Sequence, residues 1–180
     1  MSNGKLTPTS YVVLGLVALL GRATSYDMKR MAGISIGHFW SFPHSQLYAE
    51  PERLAAMGLL KEDRELGGRR RRRYTITEGG REAFRQWLSD PATEVPELRD
   101  PGMLKLFFGN LGSPEDVRKL AESQVALYRE KLEEYESLQR QFADVTGLET
   151  QLATLDMGFA VTRGGLAFWE GILANPPVRP

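Results

Sequence analysis

The longest apolar run of the chain is YVVLGLVALLG, at residues 11–21. It forms the body of a first predicted helix, which Thr9 or Ser10 can cap and which ends near Leu20. A helix needs about 20 apolar residues to cross a bilayer, and this run is shorter. We therefore interpret it as a buried helix and expect no membrane-spanning segment.

Two further helices are predicted from the apolar spacing that follows. The second begins at Ser25, a residue type that caps helices. The third begins at Ser41 or Ser45 and ends at Gly58, because glycine tolerates the positive φ of a helix end. Pro51 lies inside this third helix and removes one backbone hydrogen bond, so we expect a kink or a restart there.

A strand pattern replaces the helical pattern after the third helix. Residues 59–66 and 70–77 flank Gly67 and Gly68, and two such segments around a Gly-Gly pair predict a β-hairpin. A fourth helix follows from Thr77. Its predicted buried side comprises Ala83, Phe84, Trp87 and Leu88. Three helices, a hairpin and one more helix are the element order of a winged helix-turn-helix.

The second half of the chain is predicted to be all-helical. Residues 90–101 contain three prolines and little periodicity, which indicates a linker between two domains. Asp100 before a proline predicts a short helix, and Ser113 in the sequence SPED predicts a longer one. No proline or glycine interrupts this longer helix up to about Thr146, a length of roughly 50 Å at about 1.5 Å per residue.

The last two helices carry apolar residues at alternating four- and three-residue steps. In the last helix the series is Leu148, Leu152, Leu155, Phe159, Thr162, Leu166, Trp169 and Leu173. Gly147 separates the two helices, which predicts an antiparallel pair. A lone helical hairpin leaves much apolar surface exposed, so we expect it to close against a second copy. The predicted fold class is mainly α: a winged helix-turn-helix with a two-stranded wing at residues 1–90, and an all-helical dimerisation domain at residues 91–180.

The formal net charge of zero hides a division between the halves. Residues 1–90 hold 14 Lys and Arg against 9 Asp and Glu, and residues 91–180 hold 9 against 14. A net of +5 in the first half suggests that this half meets a polyanion. The chain has no cysteine, and its two histidines have no acidic partner at metal-ligand spacing. We expect no metal, no cofactor and no enzymatic activity, and a cytoplasmic location.

Five consecutive arginines, residues 69–73, precede the second strand of the hairpin. Arginine is a permanent cation with a fixed fork of donors that suits phosphates. Strand alternation puts Arg70 and Arg72 on the face of Tyr74, and it puts Arg69, Arg71 and Arg73 on the other. We expect Arg69, Arg70, Arg71 and Arg72 to contact DNA, and Arg73 to pair with a local acid such as Glu62. The alternative is a solvated basic hairpin without a ligand.

The exposed start of the third helix supplies the candidates for reading bases. These candidates are His44, Ser45, Gln46 and Tyr48. Gln46 can make paired hydrogen bonds to adenine, whereas Ser45 and Tyr48 suit phosphates and His44 can instead cap the helix. Arg53 can hold a phosphate or bridge back to Glu50. Lys29, on the second helix, either contacts the DNA backbone or is an ordinary surface charge.

Several stretches of the chain resemble those of a known family, the PadR-type transcriptional regulators. The resemblance rests on GRATSYDMKR, SFPHSQLYAEPERLAAMGLL and RRRRYTITEGGREAF, and it spans nearly all of residues 6–90. RDPGMLKLFFG and the long helix after it resemble the C-terminal domain of the longer PadR subclass. The resemblance implies a homodimeric, usually repressing DNA-binding protein. Some members of that family release DNA when a small aromatic compound binds, so the resemblance also implies an effector of that kind.

An effector pocket is a further expectation. Its predicted lining, between the winged domain and the C-terminal helices, is Tyr11, Trp87, Phe107, Phe108, Met157 and Trp169. Apolar junctions of this kind are where small molecules bind. The alternative is that these aromatic residues belong to the core.

The function we predict is sequence-specific binding of duplex DNA by a symmetric dimer, with repression of transcription. Two-fold symmetry implies an inverted-repeat operator with half-sites about 10 bp, or a multiple of that, apart. A winged helix that serves as a protein-interaction module, without specific DNA binding, is the alternative.

Overall fold

A computed structural model describes residues 5–43, 45–64, 71–91 and 97–177. Within these ranges the chain forms seven α-helices and one two-stranded sheet, and it divides into two compact units, Met1–Glu94 and Val95–Pro180. The division falls inside the proline-rich segment 90–101. Predictions for His44, Gly67, Gly68, Arg69 and Arg70 lie outside the described residues.

The first unit has the predicted order of three helices, a hairpin and a fourth helix. Its elements are α1 (Pro8–Leu20), α2 (Ser25–Gly33), α3 (Gln46–Ala56), β1 (Leu60–Arg64), β2 (Arg72–Ile76) and α4 (Glu78–Ser89). A short 3-10 turn at Ile36–His38 lies between α2 and α3. The predicted winged helix-turn-helix is thereby confirmed.

The caps of the first two helices differ from the prediction. Thr7 caps α1, in place of Thr9 or Ser10, and Thr24 caps α2, in place of Ser25. In each case the cap forms a reciprocal pair with the residue three positions later, Ser10 or Asp27, which satisfies two backbone N–H groups at once. A lone hydroxyl at Ser25 offers only half of that arrangement.

Helix α3 runs without interruption through Pro51, so of the two alternatives expected there the restart is wrong, and the kink stays a prediction. Ser45 occupies the cap position, although its side chain makes no capping hydrogen bond. Pro51 is buried beside Leu47 and Leu54, and this packing compensates for the hydrogen bond that the ring removes. Gly58 follows the helix with φ of 74°, as predicted for its end.

The hairpin is antiparallel, with Leu60 opposite Ile76 and Glu62 opposite Tyr74. Tyr74 also exchanges two backbone hydrogen bonds with Ala23, at 3.0 and 2.8 Å. The residue before the α2 cap thus forms an isolated antiparallel β-bridge to β2. The core of the unit is continuous from the helices into this sheet. Its most buried large side chains are Val13, Leu14, Val17, Met28, Leu47, Leu54 and Tyr74.

Helix α4 begins at the predicted cap, Thr77, but buries a narrower side than expected. Phe84 packs against Gly15 of α1 and is half-buried. Trp87 is 45% exposed and Leu88 63%, so their predicted burial is wrong. Trp87 instead lies flat on the ring of Tyr11, with 4.8 Å between the ring centroids. A helix resting on a single neighbouring helix covers only one stripe, which leaves the flank exposed.

The two adjacent glycines at the start of α4 are expected to respond differently to alanine. A Cβ at Gly80 would collide with the carbonyl oxygen of Leu59 and lie 2.9 Å from Ile76 Cγ1, whereas a Cβ at Gly79 meets nothing closer than 3.8 Å. We expect Gly80→Ala to lower the free energy of unfolding by about 1–3 kcal/mol through overpacking. Gly79→Ala, the matched control, is expected to change it by less than about 0.5 kcal/mol. Urea unfolding measures both, and equal effects would contradict the packing described.

The second unit begins with the predicted caps. Asp100 caps α5 (Pro101–Phe107), and Ser113 caps α6 (Pro114–Phe142) through a reciprocal pair with Asp116. Helix α6 ends four residues before the predicted Thr146. Gly147, with φ of 80°, then reverses the chain into α7 (Glu149–Ala174).

Helices α6 and α7 pack antiparallel, as predicted. Tyr135 of α6 contacts Phe159 of α7, and Tyr128, two turns earlier on α6, packs closely on Gly165, farther along α7. The partners thus run in opposite directions along the two helices. Trp169 lies in the core of this unit, against Ala121 and Val125. Every member of the four- and three-residue series of α7 is buried or half-buried, which confirms the predicted inner face.

Two kinds of feature are absent from the described ranges. No helix there is long and apolar enough to cross a membrane. No group of three or more His, Cys, Asp or Glu side chains there could hold a metal ion.

Candidate nucleic-acid interface

Helix α3 has one buried face and one open face. Leu47, Pro51 and Leu54 are the buried positions, spaced by four and three residues. Ser45 and Ala49 are exposed at the middle of the opposite face. Ala49, which the sequence prediction did not include, gives this open face a small side chain.

The flank of α3 that faces α1 carries Gln46, an exposed residue. The Thr9 hydroxyl donates a hydrogen bond to Gln46 Oε1 at 2.8 Å. The predicted base reader is therefore held by a side chain from another helix.

One turn farther along the same flank lies a partly buried polar cluster. The Ser10 hydroxyl donates to Glu50 Oε1 at 2.6 Å, and Arg53 donates to both Glu50 oxygens at 2.6 and 2.9 Å. Arg53 Nη2 also donates to Ser10 Oγ at 2.9 Å. Burial raises the pKa of Glu50, but the hydrogen bonds from Arg53 and Ser10 outweigh it and hold that pKa below its ordinary value. Of the two roles expected for Arg53, the bridge to Glu50 is the one observed.

The other flank of α3 faces the hairpin. Arg72 forms an ion pair with Glu52 of α3 and lies 3.7 Å from Glu62 of β1. Its hydrogen bond with Tyr74, and then the charges of the two glutamates, raise the pKa of Arg72. Arg72 thus shares the face of Tyr74, as alternation predicted, and its ion pair with Glu52 joins α3 to the hairpin.

Arg71 and Arg73, the other described arginines of the run, have surroundings different from those of Arg72. Glu62, the acid expected to pair with Arg73, pairs with Arg72 and also with Arg64. Arg73 lies opposite Asp63 in the hairpin register and is half-buried. Arg71 stands just before β2 and is exposed. Within the described part of the run, Arg71 is the arginine that is exposed.

An open groove separates α2, α3 and the wing. Its lining is Thr24, Ser25, Tyr26, Asp27, Tyr48, Glu52, Arg71, Arg72 and Tyr74. Tyr48 is 52% exposed and Tyr26 68%, so both phenol groups are open to solvent at the groove. The hydrogen bond from the Thr24 backbone, followed by that from its side chain, lowers the pKa of Asp27, the reciprocal partner of the Thr24 cap.

Tyr26, which lines this groove, is not among the residues predicted from the sequence. The signal that could have found it is its position directly after Thr24 and Ser25, the two hydroxyl residues that start α2. An aromatic side chain that is exposed there does not stabilise the core, so it suggests another role. Lys29, on the same helix, is exposed as predicted for either of its roles.

The residues of the expected effector pocket are divided between the two units. Tyr11 and Trp87 stack in the first unit. In the second unit Phe107 and Phe108 meet edge to face and are exposed, Met157 is exposed, and Trp169 is buried in the core. For Trp169 the core alternative therefore describes its surroundings, and the effector pocket stays a prediction.

Two family models match the chain, one on each unit. Residues 13–86 match the transcriptional regulator PadR-like family. Residues 98–175 match the model called virulence activator alpha C-term.

The first unit thus matches the PadR-like transcriptional regulators over most of its length. This confirms the family resemblance and, with the second model, the longer subclass that carries a helical C-terminal domain.

Relatives and solved structures agree with the PadR-like fold. The negative transcriptional regulator PadR of Bacillus subtilis is 28% identical over 124 residues, 68% of each chain. The crystal structure of that protein with operator DNA has a TM-score of 0.83 at 23% identity, over 93% of this chain and 98% of the other. Its complex with p-coumaric acid gives 0.75 at 23%, over 94% and 97%. The Vibrio cholerae virulence activator AphA gives 0.69 at 25%, over 92% and 95%.

Proposed function

We propose that this PadR-like protein binds duplex DNA sequence-specifically as a homodimer and represses transcription from an inverted-repeat operator. The observation that carries the proposal is the groove in which Tyr48 of α3, Tyr26 of α2 and Arg71 of the wing stand together beside the exposed start of α3. A recognition helix flanked by phosphate-binding groups is the arrangement that reads a major groove. The B. subtilis relative, a negative regulator crystallised with operator DNA, supports it.

The proposal divides the candidate residues by task. Ser45 and Gln46 face base edges, whereas Tyr26, Tyr48 and Arg71 contact phosphates, with Lys29 as a further backbone contact. His44, Arg69 and Arg70 keep their predicted roles from the sequence alone. Arg53 and Arg72 are assigned chiefly to the fold, because each is already paired with carboxylates.

The proposed homodimer is supported by the exposed face of α7, which lies opposite the face that packs on α6. Met157, Val161 and Phe168 are 65%, 59% and 43% exposed at four- and seven-residue spacing. Ala153, Ala160, Gly164, Ala167 and Gly171 are exposed among them, and none of these eight positions is charged. An uncharged helical face with small residues lets two helices pack closely, and a two-fold axis gives each copy the same face. We propose this face as the contact between protomers.

A small aromatic acid is proposed as an effector, since the B. subtilis relative was crystallised with p-coumaric acid. Trp40 and Trp87 are exposed, and Trp169 is buried, so tryptophan fluorescence offers reporters in both environments. Saturable fluorescence changes with a phenolic acid support this part of the proposal. A flat response across a broad panel of aromatic acids contradicts it. A cytoplasmic location, where the protein meets DNA, completes the proposal.

The test of DNA binding is a titration of labelled DNA from the gene's own upstream region at several salt concentrations. Binding that saturates, resists nonspecific competitor and weakens steeply with salt supports the proposal. Binding no stronger than to random DNA, with and without aromatic acids, contradicts it and favours the protein-interaction alternative.

The double variant Arg69→Ala, Arg70→Ala sharpens this titration. Each arginine that neutralises a phosphate adds about one to the slope of log affinity against log salt. We therefore expect weaker binding to every sequence and a slope shallower by about 2. The matched control is Arg81→Ala, Arg85→Ala on α4, which removes equal charge outside the groove lining. Equal losses in both double variants would mean that the wing acts only through net charge.

A further inference from the structure

The first turn of α1 holds two successive positions on one flank of α3. Thr9 donates to Gln46 Oε1 at 2.8 Å, and the next residue, Ser10, donates to Glu50 Oε1 at 2.6 Å. Gln46 and Glu50 are one helical turn apart, so the two contacts fix the same flank of α3. The carboxamide of Gln46, although exposed, is thus held in one orientation by a neighbouring helix.

The two ends of this carboxamide have different chemistry. The oxygen accepts hydrogen bonds and the nitrogen donates two. Thr9 engages the oxygen, and within the described ranges no hydrogen bond engages the nitrogen. Because the oxygen and the nitrogen point in different directions from the planar amide carbon, an oxygen held toward Thr9 turns the NH₂ group away from α1.

We propose that Thr9 is a specificity-determining positioning residue, which makes Gln46 read DNA as a hydrogen-bond donor. This inference rests on the proposed function. Pairing with adenine needs the amide oxygen to accept from N6 while the nitrogen donates to N7, so both atoms must face the base. Guanine presents two acceptors, N7 and O6, to the major groove. A tethered Gln46 therefore favours guanine over adenine at its position, which changes the expectation drawn from the sequence.

The tether also lowers the cost of binding. A free glutamine side chain loses rotamer freedom when it docks on a base, and that loss opposes binding. The Thr9 hydrogen bond has already restricted the side chain in the unbound protein. Removal of the hydroxyl frees the amide to rotate and to present its oxygen, so adenine becomes an equally good partner.

The test is selection of binding sites from a random DNA pool by the full-length protein and by three variants: Thr9→Val, Thr9→Ser and Gln46→Ala. Valine keeps the branched shape without the hydroxyl, and serine keeps the hydroxyl. We expect Thr9→Val to reduce the preference for guanine over adenine roughly 5- to 10-fold at one position of each half-site. Thr9→Ser is expected to retain the preference, and Gln46→Ala to lose it at the same position.

The outcomes separate this inference from the proposed function. If the unmodified protein selects no sequence, the proposed function itself is overturned. If it selects a site but Thr9→Val keeps every base preference, the inference is overturned and DNA recognition stands. An even loss at all positions, or an adenine preference already in the unmodified protein at the position that Gln46→Ala alters, also overturns it.

Discussion

An aspartate in place of Val161 on α7 is expected to convert the proposed homodimer into monomers and to weaken the proposed operator binding by about 100-fold or more. Val161 is 59% exposed, between Met157 and Phe168 on the uncharged face of α7. In a two-fold contact the residue near the axis meets its own copy, so each protomer would bring a carboxylate against the other. Burial of unpaired like charges is strongly unfavourable.

The loss of DNA affinity follows from the loss of the second half-site. A dimer that holds both half-sites gains about 10²- to 10⁴-fold over a single winged domain, because the second contact is intramolecular. Sedimentation of the protein and titration of the inverted repeat measure the two effects together. Ser137→Asp, at an exposed site of α6 among glutamates, is the matched control and is expected to stay dimeric. A Val161→Asp protein that remains dimeric would rule out this face as the contact between protomers.

The Arg53→Met variant is expected to lose about 2–3 kcal/mol of unfolding free energy at pH 7. Arg53 is the cation that holds the Glu50 carboxylate, whose side chain is only 14% exposed. Its removal leaves that carboxylate desolvated, with Ser10 as the one remaining donor among the contacts described. Removing Glu50 as well, in Arg53→Met, Glu50→Gln, removes the uncompensated charge, so the double variant is expected to be more stable than the single one.

The pH dependence of these proteins gives an independent check. In the unmodified protein the folded pKa of Glu50 lies below its unfolded value, so its contribution is present above the unfolded pKa, 4.5, and is lost as the pH falls through the folded pKa. In Arg53→Met burial acts without the arginine and raises that pKa, so this variant regains stability as the pH falls from 7. Urea unfolding between pH 7 and 3.5 measures both trends.

The control for this series is Arg85→Met, which breaks exposed pairs with Glu78 and Glu82 on α4. Exposed pairs of this kind contribute little, so a change below about 1 kcal/mol is expected. A similar loss in Arg53→Met and Arg85→Met would show that the cluster of Ser10, Glu50 and Arg53 has no special role in holding α3.

The order of elements was predictable because each helix has its own start signal and apolar spacing. The roles of neighbouring hydroxyls were not. Thr7, Thr9 and Ser10 all carry a hydroxyl near the start of α1, and the sequence offers no way to rank them. In the fold Thr7 caps the helix, Thr9 holds Gln46 and Ser10 holds Glu50. The last two roles depend on α3, which lies about 37 to 40 residues away along the chain.

The site shows the same division between local and long-range information. Strand alternation correctly put Arg72 on the face of Tyr74, since alternation is a local property of β-structure. It could not show that Glu52 of α3 lies on that side, so Arg72 was predicted to be available to DNA. Trp87 was predicted to be buried because helical spacing identifies the apolar side of α4. The spacing does not show how much of that side the neighbouring helix covers, and Trp87 is exposed.

The most direct measurement of the central claim is a footprint of the protein on the DNA fragment that it binds best from its own upstream region. Sequence-specific binding by a two-fold dimer predicts protection of two half-sites in inverted orientation, with centres about 10 bp, or a multiple of that, apart. Ethylation interference is expected to mark phosphates on both sides of each protected groove. A single asymmetric footprint, or none above that of nonspecific competitor, would contradict the account.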